Sequence, residues 1–155
     1  MNSILIRQAM REDLPEIVRM LADDELGSQR EVYQESLPDS YYAAFGQITN
    51  DSNHQLMVAE SNGRVVGTLH LMFLPSISFQ GGLRAQVESV RVDKEIRNAG
   101  IGSEMIKWAI TCAKERGAHV VQLTTHLSRK DAHRLYERLG FTGSHLGMKL
   151  NLKKY

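Results

Sequence analysis

The segment Val87-Glu88-Ser89-Val90-Arg91-Val92-Asp93-Lys94-Glu95-Ile96-Arg97-Asn98-Ala99-Gly100-Ile101-Gly102-Ser103 decides the fold. It begins as a Val-rich strand, crosses a polar loop and opens a helix. Gly100 and Gly102 let the backbone turn tightly and bring N–H groups toward a ligand, while the helix N-terminus adds its dipole and Arg97 a full charge. That is an anion cradle, and a pyrophosphate is its natural guest. A Gly-x-Gly also occurs as a plain turn, and no Gly-Lys-Ser/Thr follows, so the Walker pattern is absent.

On the N-terminal side, Gln55 to Glu60 and Arg64 to Phe73 read as two strands joined by Ser61-Asn62-Gly63, residues that tolerate the positive φ of a tight hairpin. Pro75 and Gly81-Gly82 punctuate the connection into the strand Leu83 to Val92. Further back, Ile4 to Arg7 is a short strand, and Leu14, Ile17, Val18 and Leu21 recur at helical spacing behind Pro15. Residues 22–40 lose all period, and Tyr41 to Ile48 is a second candidate helix. On the C-terminal side, Gly102 to Arg116 is a helix stopped by Gly117, Val120 to Thr125 a buried-type strand, and Arg129 to Leu139 a helix stopped by Gly140. Met148 to Leu152 is a candidate last strand. The expectation is an α/β (α+β) chain, residues 1–155 forming one domain with a mixed sheet flanked by helices.

Composition fits an ordinary globular domain: 155 residues, 42% hydrophobic, 24% charged and 3 Pro. A formal charge of +1 supplies no basic field for nucleic acid or an acidic membrane, and Val65 to Ile77, the most apolar run, is interrupted well before the roughly 20 residues of a span. One cysteine, Cys112, forms no intrachain disulfide, and the first residues lack a signal-peptide layout, so a reducing cytoplasm is the expected compartment. The charge is uneven: residues 1–51 hold ten acids against four arginines, a net of −6.

Arg97-Asn98-Ala99-Gly100-Ile101-Gly102 resembles the Arg/Gln-x-x-Gly-x-Gly/Ala signature of the GNAT superfamily of acyl-CoA N-acyltransferases. Ala132-His133-Arg134-Leu135-Tyr136-Glu137-Arg138-Leu139-Gly140-Phe141 resembles its later Ala-x-x-x-Tyr-x-x-x-Gly-Phe element, in family order and spacing. Ile6 to Ala9 with Asp13-Leu14-Pro15 is similar to its opening strand and helix. The resemblance implies a mostly antiparallel sheet splayed between its fourth and fifth strands, with acetyl-CoA in the gap. It implies that the backbone of Val90 and Val92, around Arg91, pairs with the pantetheine arm, and that Arg97, Asn98, Ala99, Gly100, Ile101, Gly102 and Ser103 hold the pyrophosphate. Many relatives place an Asn where this chain has Arg129. Arg129 and His133 then either meet a cofactor phosphate or face water.

N-acetylation requires a free amine lone pair, yet an alkyl amine with a pKa of about 10 is protonated near neutrality. Glu88 matches the strand position from which family members accept that proton, directly or through water; otherwise it is a salt-bridged strand carboxylate. The likeness also assigns the Val90 amide to polarising the carbonyl and Tyr136 to protonating the departing sulfur, where a purely structural Tyr136 would pack in the core. The acceptor is expected to be a small primary amine, with a protein N-acetyltransferase and a non-catalytic acyl-CoA sensor as alternatives. The segment Asp23 to Tyr42 bears Asp23, Asp24, Glu25, Glu31 and Glu35, which either attract a cationic amine or are simply solvated. Six scattered histidines show no metal-ligand spacing, so no metal is expected. Ser128, Asp131 and His133 lack a nucleophile elbow, and Cys112 at helical spacing reads as a core thiol. Family members often dimerise, and the C-terminal strand offers an edge for a homodimer.

Overall fold

The computed structural model describes residues 3–155. Its centre is a five-stranded sheet in the order β1(Leu5–Gln8), β2(His54–Ser61), β3(Arg64–Pro75), β4(Leu83–Val92), β5(Val120–Leu123). Neighbours up to β4 are antiparallel, whereas β5 runs parallel to β4. A parallel pair needs a long crossover, supplied here by helix α5(Ile101–Glu115). The remaining elements are α1(Leu14–Leu21), α2(Glu25–Ser28), α3(Asp39–Thr49), a single turn α4(Ser78–Gly81) with left-handed Phe79 and Gln80, and α6(Lys130–Arg138). The aperiodic stretch after α1 is thus a short helix and loop, followed by a helix longer than its periodicity predicts.

Local chemistry explains the main elements. Pro15 occupies the first turn of α1, where its missing N–H costs nothing, and Leu14, Ile17, Val18 and Met20 are buried. Asn62 (φ 51) and Gly63 (φ 74) take the two left-handed positions of the β2–β3 hairpin. Met105, Ile106, Ala109 and Ala113 bury one stripe of α5, which ends at left-handed Gly117.

The two sheet faces carry separate cores. Leu69, Leu71, Phe73, Ala85 and Val87 pack under α5, joined by Tyr136 and Leu139 of α6. Val58 and Val65 pack under α1, joined by Tyr41, Tyr42 and Phe45 of α3.

The expected strand at Met148 to Leu152 does not form: residues 139–155 contain no helix or strand. The alternation is present, but a strand persists only when its N–H and C=O groups find partners, and this segment pairs with nothing among the described residues. Leu146, Met148, Leu150 and Leu152 are 85 to 88% exposed.

Candidate active site

The site is organised by one irregularity in β4. Thr68 pairs with Arg91 and His70 with Glu88, so the two residues Ser89 and Val90 stand opposite Leu69 alone. This is a β-bulge, with Ser89 in the left-handed region (φ 55). The extra residue changes the alternation of side chains. Val87, Val90 and Val92 all join the α5-side core, while Glu88 and Arg91 lie toward α1. Without the bulge, residues 88 and 91 would take opposite faces.

Beside the bulge the sheet opens. β5 pairs with β4 only from Arg84↔Val120 to Val87↔Leu123, and from Glu88 to Val92 the edge of β4 facing β5 has no strand partner. This is the expected splay between the fourth and fifth strands. The loop after it passes through left-handed backbone twice before entering α5. Asn98 (φ 67) and Gly100 (φ 82) are left-handed on either side of Ala99, a backbone arrangement that gathers N–H groups around an anion. α5 then starts without a side-chain cap, leaving the amides of Ile101, Gly102 and Ser103 at its positive end. A Cβ on Gly102 would stand 3.3 Å from Leu135 Cδ2 and 3.6 Å from Val92 Cγ2, so a larger residue would crowd the splay. Arg97 is exposed at the rim and donates from Nε to the Val92 carbonyl at 3.3 Å.

Asp93 anchors this loop. It is 1% exposed, accepts from Arg19 of α1 and Arg64 of β3 at 2.8 Å each, and accepts from the Glu95 amide at 3.0 Å. Burial alone would raise its pKa, but the Glu95 amide and the two guanidiniums outweigh that and hold it below the usual carboxylate range.

Glu88 is half-buried and held from one side: Gln122 donates to Gln86 at 2.7 Å, and Gln86 donates to Glu88 Oε1 at 3.1 Å. Across the ladder stands His70, whose Nε2 lies 2.9 Å from His54 Nδ1. Burial, with His54 nearby, pushes His70 down to about 4, so it is uncharged near neutrality. His70 and Ser89 line a cavity of about 160 Å³ closed by Ile17, Leu21, Phe45 and Thr68. A larger depression of about 340 Å³ near Thr49 and His54 contains none of the cradle or candidate catalytic residues.

Tyr136 of α6 packs against the α5-side core, its ring edge-on to Phe141 at 5.9 Å. Burial raises its pKa, opposed by Arg91 and Arg129, so the phenol keeps its proton. Arg129 pairs with Asp24 at 2.5 Å, and His133 Nε2 donates to the His126 carbonyl at 3.0 Å; each is engaged with the protein itself.

The acidic segment is also engaged. Asp23 pairs with Lys94 at 3.1 Å, both Asp24 oxygens are used by Arg129 and the Gly27 amide, and Glu31 holds Arg30 and the Tyr41 hydroxyl. Only Glu25 and Glu35 of the five remain exposed without these pairings. The cation-attracting surface expected from composition is therefore largely neutralised. Sequence reasoning missed His70, Asp93 and the Gln86–Gln122 chain; the hairpin register would have placed His70 near Glu88.

The Acetyltransferase (GNAT) family model matches residues 16–141. The chain belongs to this family and is an acetyl-CoA-dependent N-acetyltransferase. It is 31% identical over 143 residues to an aminoalkylphosphonate N-acetyltransferase of Salmonella typhimurium, a match covering 90% of this chain and 86% of that one. Its fold matches a Bacillus halodurans protein described as a transcriptional regulator, at a TM-score of 0.94 and 47% identity, over 97% of this chain and 100% of that one. A Clostridium acetobutylicum structure with acetyl-CoA, described as a predicted acetyltransferase, matches at a TM-score of 0.75 and 20% identity, over 97% of both chains, a likeness of fold alone. Among the described residues, no group of His, Cys, Asp and Glu is arranged to hold a metal, and no helix is long and apolar enough to cross a membrane.

Proposed function

We propose that residues 1–155 form one catalytic domain that acetylates a small primary amine by direct transfer, with Glu88 as proton acceptor and Tyr136 as proton donor. The observation that carries this reading is the β4 edge left without a strand partner from Glu88 to Val92, beside a bulge whose Ser89 lines the cavity under α1. Acetyl-CoA supplies an activated acyl group as a thioester. Along the β4 edge without a strand partner, the backbone at Val90 and Val92 suits the pantetheine arm, which would displace Arg91 and Arg97 from the two carbonyls they now hold, and the amides at Ala99 to Ser103 with Arg97 suit the pyrophosphate.

Glu88 takes one proton from the ammonium, directly or through a water. The freed nitrogen pair attacks the thioester carbonyl, a C–N bond forms, and the C–S bond breaks. The second nitrogen proton is lost to solvent, the departing sulfur takes the Tyr136 proton, the phenolate regains one from solvent, and Glu88 releases its proton to solvent, which restores both residues. The Val90 amide, released from regular pairing by the bulge, donates to the carbonyl oxygen as charge builds there. A cavity of about 160 Å³ suits a compact acceptor better than a peptide chain.

Thiol release from acetyl-CoA with a panel of amines, comparing Tyr136→Phe with the native protein, tests the reading. General-acid loss should lower kcat about 100-fold or more while the acetyl-CoA Kd stays within about threefold. An unchanged kcat removes Tyr136 from the chemistry.

A further inference from the structure

Arg91 has a buried Nε without a hydrogen-bond partner, and its guanidinium makes one hydrogen bond among the described residues, from Nη1 to the Val90 carbonyl at 2.8 Å. A half-buried guanidinium normally sits against a carboxylate. The carboxylate that acts on it, Asp24, is committed elsewhere, to Arg129 and the Gly27 amide. Burial pulls the pKa of Arg91 down, and the charges of Arg129 and Arg30 close by pull it the same way. Arg91 and Arg129 thus share one saturated carboxylate, Asp24, and Arg30 adds positive charge nearby. The surplus positive charge sits on the acceptor side of β4, one bulge away from Glu88 and near Tyr136.

Resting on the acceptor side proposed above, we infer that Arg91, supported by Arg129 and Arg30, binds an anionic group on the acceptor, which is a short amine carrying a phosphonate, phosphate or carboxylate. Glu88 receives the ammonium end and Arg91 the acidic end, so the pair fixes the acceptor's direction along β4. An acceptor lacking the anion leaves the guanidinium unpaired and loses that orientation.

The probes are 2-aminoethylphosphonate, O-phosphoethanolamine, β-alanine and the neutral-bodied n-propylamine, each assayed for kcat/KM and titrated calorimetrically. The native enzyme should favour the best anionic probe over n-propylamine by at least about 30-fold, and the ranking among the three separates phosphorus acids from carboxylates. Arg91→Gln should collapse that ratio toward one with the acetyl-CoA Kd unchanged, and Arg91→Lys should restore part of it. Turnover without anion preference, an equal loss for all probes in Arg91→Gln, or no calorimetric binding of any anionic probe overturns the inference. Loss of acetyl-CoA binding by the native protein would instead refute the acetyltransferase reading beneath it.

Discussion

Replacing Asp93 by Asn tests whether the cradle loop is tied to the rest of the fold through one buried carboxylate. The change keeps shape and removes charge from a group 1% exposed and bonded to Arg19 and Arg64. Breaking a buried ion pair from one side costs about 3 to 5 kcal/mol. The lower end applies here, because Arg64 is 55% exposed and regains water, and Arg19 keeps Glu16 at 3.0 Å. For a chain of this size about 3 kcal/mol corresponds to a Tm lower by roughly 6 to 12 °C, measured by calorimetry near neutral pH. The pH dependence has a definite sign. The folded pKa is depressed, so the stabilisation is complete above the unfolded value of about 4 and is lost as pH falls through the folded value. The gap between native and variant should therefore close in acid. A Tm loss under about 3 °C, or a gap that persists unchanged at low pH, refutes the anchoring role.

Arg97→Glu should weaken acetyl-CoA binding about tenfold or more by calorimetry and leave stability within about 0.5 kcal/mol, because the side chain is exposed; equal affinity contradicts the pyrophosphate assignment. His70 stays neutral down to about 4 in the folded chain but titrates at its ordinary 6.5 when unfolded. Its contribution is therefore complete above 6.5 and declines as pH falls toward 4, by about 2 kcal/mol after allowance for the ring's contact with solvent. His70→Gln should flatten that part of the stability profile, and an unchanged slope would place the acid sensitivity elsewhere.

Much of the fold was legible because periodicity is a local property. The stripe Met105, Ile106, Ala109 and Ala113, the Asn62-Gly63 hairpin and the glycine stop at Gly117 each specify their element within a few residues. The loop entering α5 was legible for the same reason, since two closely spaced glycines before an apolar stripe describe such a loop. The bulge was not. Its left-handed residue is a serine, which carries no signal for positive φ, and its cause lies in the pairing of Leu69 across the ladder. With the bulge hidden, regular alternation would put Arg91 on the face opposite Glu88, whereas the shifted register puts both on the same face. Asp93 with Arg19 and Arg64 joins residues 74 and 29 positions apart, a juxtaposition only the folded chain creates. The C-terminal strand failed for a related reason: alternation identifies a strand face, and the partner that would stabilise it lies outside any local window.

β4 itself is two kinds of strand in sequence. Arg84 to Val87 has neighbours on both sides, while from Glu88 onward one side is open. Whatever molecule takes up those spare backbone groups becomes, in effect, the sheet's missing neighbour, and its concentration becomes a variable of folding. Each tenfold rise above its dissociation constant adds about 1.4 kcal/mol to the native state. Cellular supply of that ligand thereby sets how long the protein survives as well as how fast it works.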